Sequence, residues 1–324
     1  MTQDPEMLQI INSGAIFLLE HFYDKENSGF VWSCSQNGQK LDFTKDAYGH
    51  AFVILGLVNV YKATGDNYFL EKAIETLDLL HSNFTDKQGG LIWKMSRDWI
   101  DIDETRSQNP MMHTFESMLA LLPYLNDENK KVAITNRMKD SVDFLFPDAS
   151  KDSALTIQEI YTKSWEPVQP HLGGYISVGH LFEWAFLLSV SVSSGLPDSF
   201  LVTANQLLKT GLLLGYNNEK GYIKTWIDEH GNVLWDEISW WEQSEALRTL
   251  LNFIIQFGRK DLEQYFLDLL HFVKDRFIDN KYGGWYTSLN PDATPRDTNK
   301  GSTWKLDYHQ TGLCVEVNNY SKQT

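Results

Sequence analysis

Five short stretches of the 324-residue sequence each bring side chains able to move a proton. "GHLFEW" (179–184) sets His180 and Glu183 three apart, a spacing that puts both on one face of a helix. "NPMMHTFES" (109–117) brings Asn109, His113 and Glu116, and "KDAYGHAF" (45–52) brings Tyr48 and His50. "ISWWEQSEAL" (238–247) carries Trp240, Trp241, Glu242 and Glu245, and "WKLDYHQTG" (304–312) carries Trp304, Asp307, Tyr308 and His309. Histidine titrates near neutral pH, which suits general acid–base work. A carboxylate such as Glu183 can orient a neighbouring imidazole and make it more basic. Tryptophan faces suit the apolar face of a sugar ring. These are the parts needed to remove a proton α to a carbonyl. Any one of them could equally be a hydrogen-bonded core group, but their recurrence at one relative position argues for a shared task.

Other chemistries fit less well. His180-x-x-Glu183 could supply two metal ligands, yet di-metal sites in helical bundles use Glu-x-x-His twice with two further glutamates. That pattern is absent, so neither a metal nor a cofactor is expected. No G-x-S-x-G nucleophile elbow occurs, and Cys34 and Cys314 stand in no distinctive setting.

The elements that would position these residues follow from a repeat. "FYDKENSGFVW" (22–32), "FTDKQGGLIW" (84–93), "NNEKGYIKTW" (217–226) and "FIDNKYGGWYT" (277–287) each place acidic or amide residues before glycine and then aromatic or β-branched residues. Gly29 and Gly90 are 61 apart, Gly221 and Gly284 are 63 apart, and the 131 between Gly90 and Gly221 spans two periods. "FPDASKDSALTIQEIYTKSW" (146–165) reads as a divergent middle copy. A fixed period of this length indicates one repeated supersecondary unit. Amphipathic helices are expected near 4–23, 67–82, 128–147, 197–216 and 260–277, with apolar stripes suited to an outer layer. Helices apolar on most sides, suited to an inner layer, are expected near 45–64, 109–125, 180–194, 237–257 and 305–320. Gly65 and Asp66 have the types expected at a helix C′ and the next N-cap. Two concentric layers of helices make an all-α, α/α toroid with short β-hairpins at one end, in a single domain spanning 1–324. The starts of the inner helices then converge, and their partial positive charge favours a developing enediolate oxyanion.

Composition limits the partners. The formal charge is −15, from 28 Lys+Arg against 43 Asp+Glu, which disfavours nucleic acid and anionic membranes. Two distant cysteines suggest no disulfide framework and fit a reducing compartment. The N-terminal stretch lacks the basic n-region of a signal peptide, and no apolar run reaches the ~18 residues of a membrane span. A cytoplasmic protein with a small-molecule substrate is expected.

"YGHAFVILG" (48–56), "QNPMMHTFES" (108–117), "GHLFEW" (179–184), "WWEQSEAL" (240–247) and "DYHQ" (307–310) together resemble the N-acylglucosamine 2-epimerase superfamily, in that family's order and spacing, from about residue 10 to 318. The resemblance implies an (α/α)6 barrel and metal-free interconversion at sugar C1/C2. It implies His180 and His309 as the proton-transfer pair. It gives Tyr48, Asn109, His113 and Trp304 as substrate-binding positions, Trp304 matching a residue that stacks on sugar in disaccharide-acting members; Glu183 and Trp240 are further substrate-binding candidates. Ten helices are legible where the family has twelve; the first hairpin, whose inner helix carries a substrate-contacting arginine, has no counterpart, and exposed flanks make a homo-oligomer reasonable. The expected activity is an aldose–ketose isomerase of the mannose–fructose type, with N-acylglucosamine or cellobiose 2-epimerase as alternatives. A glycoside hydrolase using Glu183 and Glu242, and a non-catalytic sugar-binding protein, are the readings from other classes.

Overall fold

Each expected glycine turn is built around an Asx side chain. The computed structural model describes residues 4–147, 149 and 154–322, so part of the divergent middle copy, at 148 and 150–153, lies outside the described residues. Two compact units are resolved by packing: one holds 1–145 and 160–168, the other 146–159 and 169–324.

In the first unit the helices are α1 (Pro5–Phe17), α2 (Ala47–Thr64), α3 (Asn67–Phe84), α4 (Gln108–Leu121) and α5 (Glu128–Leu145). Helix α2 packs against α1, α3 and α4, and α4 against α5. Asp66 caps α3 by accepting from the Tyr68 N–H, and Gly65 ends α2 in the left-handed region at φ 74°. Asp24 heads the first turn and Asp86 the second; Asp86 Oδ1 accepts from the N–H groups of Gln88, Gly89 and Gly90. Each aspartate is held by a cation from the approach to the next inner helix. Lys45 and Arg97 grip Asp24, and Arg106 reaches Asp86, whose other oxygen accepts from Trp165 Nε1 at 2.6 Å. Arg97 holds the Asp24 carboxyl well below the usual carboxylate range. In the second copy the positive φ falls on Gly89; Gly90 is required for space, because a Cβ there would meet the Trp165 ring.

In the second unit the helices are α6 (Val178–Ser193), α7 (Ser199–Thr210), α8 (Trp240–Phe257), α9 (Glu263–Phe272) and α10 (Tyr308–Ser321). Helix α6 packs on α7 and α8, and α8 on α9 and α10. Of the 16 residues of α6, 13 are buried, which accounts for its lack of a polar face. Each large apolar side chain it hides, such as Phe182 or Leu188, contributes about 1.5–3 kcal/mol. Helices α7 and α9 are two-faced and end in π-helical turns at 211–215 and 273–277, just before their glycine turns. Helix α10 departs from the apolar inner pattern: only Leu313 and Tyr320 are buried among its residues, because "YHQTGLCVEVNNYS" alternates polar groups through every turn.

Short antiparallel strands gather the inner-helix starts within each unit. Residues 45–46 pair with 94–95, 105–107 with 160–162, 176–177 with 226–227, and 238–239 with 288–289. Each pairing ties the approach to one inner helix to the strand that follows a later turn. Among the described residues, no helix is long and apolar enough to cross a membrane.

Candidate active site

His180 in the first turn of α6 and His309 in the first turn of α10 are each paired with a carboxylate. His180, on α6, lies 2.6 Å through Nδ1 from Glu159 Oε2. Glu159 is buried, and its own N–H donates to the Tyr175 carbonyl, so the carboxylate is fixed through its backbone. His309, on α10, lies 2.8 Å through Nδ1 from Glu245 Oε1 on α8. Burial pushes the Glu245 carboxyl up, but Arg248 at 3.5 Å and His309 outweigh it and hold the group ionised. A carboxylate accepts only, so in both pairs Nδ1 donates; in the neutral imidazole the lone pair a general base needs is then the one on Nε2. The Trp241 ring joins the pairs, at 4.9 Å from His180 and 5.2 Å from His309.

Glu183 was expected to orient His180; the carboxylate at Nδ1 is Glu159. Glu183 sits one turn deeper on α6 and is fully buried; its ligand-type atoms and those of Glu245 and His309 lie within 4.8 Å of one another. These three could in principle hold a cation. Glu245, however, is already paired with Arg248 and accepts from His309.

In the first unit, His113 lies 3.1 Å through Nδ1 from Glu116 Oε2, one turn further along α4. The Tyr48 ring meets the His113 ring edge-on at 5.1 Å. Asn109, at the start of α4, has a buried side-chain oxygen without a hydrogen-bond partner among the described residues. His50 is different. It donates from Nδ1 to the Asp46 carbonyl and accepts the Phe30 N–H at Nε2, and burial lowers its pKa to about 4. It is a neutral brace for the first glycine turn.

Of the two expected tryptophans, Trp240 is buried with Lys305 Nζ 5.6 Å from its ring, and Trp304 is 71% exposed. Trp241 and Glu159 were missed. Trp241 neighbours Trp240 in sequence, and only the facing of α8 tells them apart. Glu159 lies in the divergent copy, where the repeat gave no alignment.

The family model for N-acylglucosamine 2-epimerase (GlcNAc 2-epimerase) matches residues 1–312. A cellobiose 2-epimerase of Bacteroides fragilis is 26% identical over 96% of this chain and 81% of its own length. A D-mannose isomerase of Marinomonas mediterranea is 27% identical over 92% of this chain and 77% of its own. Among solved structures, a D-mannose isomerase superposes with a TM-score of 0.88 at 24% identity, covering 98% of this chain and 82% of that one. The cellobiose 2-epimerase from Spirochaeta thermophila gives 0.86 at 26% identity, covering 99% and 81%. The all-α, (α/α)6-barrel fold class expected from the sequence is borne out.

Proposed function

Since the chain belongs to the N-acylglucosamine 2-epimerase family, a family of carbohydrate epimerases and isomerases, we propose that it is an aldose–ketose isomerase of the mannose–fructose type. The observation that carries this is the pair of histidine–carboxylate couples on either side of Trp241. His180 and His309 each present an Nε2 lone pair, and each has a carboxylate to stabilise the imidazolium formed when it takes a proton.

In the open-chain aldose, one histidine removes the C2 proton. The C–H electrons form a C1–C2 double bond, and negative charge moves to the carbonyl oxygen. The N-terminal ends of α6 and α8 favour that charge. The C2 hydroxyl proton then passes to O1 as the C2 carbonyl forms, and return of the abstracted proton to C1 of this cis-enediolate yields the ketose. Reprotonation of C2 by the second histidine from the opposite face would yield the 2-epimer, which is how the cellobiose and N-acylglucosamine alternatives would use the same groups. Tyr48, Asn109, His113 and Trp304 are proposed as substrate contacts on the strength of the family motifs, with Glu183 and Trp240 beside them. The Marinomonas mediterranea enzyme, named a D-mannose isomerase, supports mannose first. The hydrolase reading is disfavoured because the chain belongs to a family of epimerases and isomerases.

The test is incubation with mannose, N-acetylmannosamine and cellobiose in D2O, followed by proton NMR. Deuterium entering at C1 or C2, with fructose formed from mannose, is the expected result. No exchange with any sugar would sink the chemistry. His180→Ala and His309→Ala should each abolish exchange, and retention by both would refute the assignment of roles.

A further inference from the structure

Ser239-x-x-Glu242 at the start of α8 has the spacing of a capping box, in which the glutamate would return to the Ser239 N–H. The structure spends that N–H elsewhere, on Thr225 Oγ1 at 3.3 Å. The Glu242 side chain instead turns inward. It is fully buried, and neither carboxyl oxygen makes a hydrogen bond of normal geometry among the described residues. Its seat is the space left by a missing side chain. A Cβ on Gly179, one residue before His180, would lie 2.8 Å from Glu242 Cγ and 2.4 Å from the Trp241 ring. Trp241 and Glu242 therefore share one socket on the first turn of α6. The next residue locks the register: Gln243 donates from Nε2 to the Ile223 carbonyl and accepts the Ile223 N–H, each at 2.8 Å.

We propose that Glu242 is a positioning residue that holds the Trp241 ring between His180 and His309 by filling, with that ring, the socket at Gly179. The proposal rests on the proton-transfer reading above, but its geometry does not. The seat suits a neutral carboxyl. Burial pushes Glu242 up to about 8, with Glu237 adding to the rise and the nearby Ser239 hydroxyl opposing it. From the segment leading into α6, Tyr175 also faces it; its phenol is raised by burial and by Glu159 and Glu242. Neither Glu237 nor Tyr175 offers a positive charge, so an ionised Glu242 has to leave the socket or draw water into it. Trp241 then loses its backing, and the two histidines lose the ring common to both.

The experiment follows sugar exchange in D2O from pH 6 to 10, with mannose and cellobiose as probes, alongside the part of the fluorescence that Trp241→Phe removes. In the wild type, both should change together near pH 8. In Glu242→Gln, whose side chain stays uncharged, the alkaline limb should move up by a pH unit or more, relative to that variant's own neutral rate, and the Trp241 signal should stay flat. Glu242→Met gives the same comparison if the glutamine variant does not fold. A variant with the wild-type limb and the wild-type fluorescence change overturns the proposal, as does a limb that moves while the fluorescence change persists. If the wild type exchanges no sugar at any pH, the catalytic reading fails, and the fluorescence comparison alone decides the role of Glu242.

Discussion

Replacing Glu159 by glutamine isolates the charge in the pair that holds His180. The contact is 2.6 Å long and buried, between Nδ1 and a carboxylate oxygen. Glutamine keeps the length and an acceptor oxygen, so the ring should stay in place with Nδ1 still the donor. What disappears is the negative charge that stabilises His180 once it has taken a proton. A hydrogen bond to a charged partner is worth about 1.5–3 kcal/mol, and about 1.4 kcal/mol is tenfold in rate. The expected loss in turnover is therefore about 10- to 150-fold, with KM little changed, because the charge acts on the proton-transfer step. Glu159→Ala should lose more, since Nδ1 is then free to become the acceptor and Nε2 the donor. The assay is the initial rate of deuterium entry from D2O across a range of sugar concentrations, with circular dichroism to confirm folding. Glu159→Gln within threefold of the wild type would refute the argument that this carboxylate supports the base. An equal rise in KM with turnover unchanged would show that Glu159 serves binding.

Gly179→Ala should force the Trp241 ring out of its socket, given the 2.4 Å approach of the added Cβ. Overpacking of that kind costs about 1–3 kcal/mol, so a lower melting temperature and at least tenfold slower exchange are expected; a variant unchanged in both would disprove the socket. Asp86→Asn should weaken the second turn, because Asp86 accepts from three backbone N–H groups and Trp165 and pairs with Arg106. Arg106 keeps Asp101 at 2.8 Å, so a loss of about 2–3 kcal/mol is expected from urea unfolding, toward the low end for a broken buried pair; a change under about 0.5 kcal/mol would count against the clamp. For Glu242, the carboxyl holds its proton up to about 8 when folded, against 4.5 for the ordinary group. Between those values the folded chain binds a proton that the unfolded chain has released. Stability therefore falls as pH rises through that window, by up to about 5 kcal/mol at its top. The urea midpoint of Glu242→Gln should drop less than that of the wild type between pH 6 and 9, and parallel curves would refute the buried neutral acid.

Which parts of the site could be read from the sequence depends on how far apart the cooperating residues lie. Gly65 and Asp66 were legible because a left-handed C′ and an N-cap are local demands, met within one turn. The repeat was legible for the same reason: Gly29, Gly221 and Gly284 all adopt positive φ, which few other residues tolerate. Glu159 was not, because its link to His180 spans 21 residues and depends on the Glu159 N–H meeting the Tyr175 carbonyl, which no local pattern announces. Trp240 and Trp241 differ by one position, or about 100° around α8, and the sequence does not say which way that helix is turned. The Gln243 clamp on Ile223 settles it. His50 taught the opposite lesson. Like His113 and His180 it lies within the first two turns of its helix, yet both its nitrogens go to backbone groups. A recurring residue type marks where a fold tolerates a polar group, and only the partner at each nitrogen separates a brace from a base. His180 and His309 meet that stricter condition, each with one nitrogen on a carboxylate, and neither carboxylate lies within its histidine's own helix.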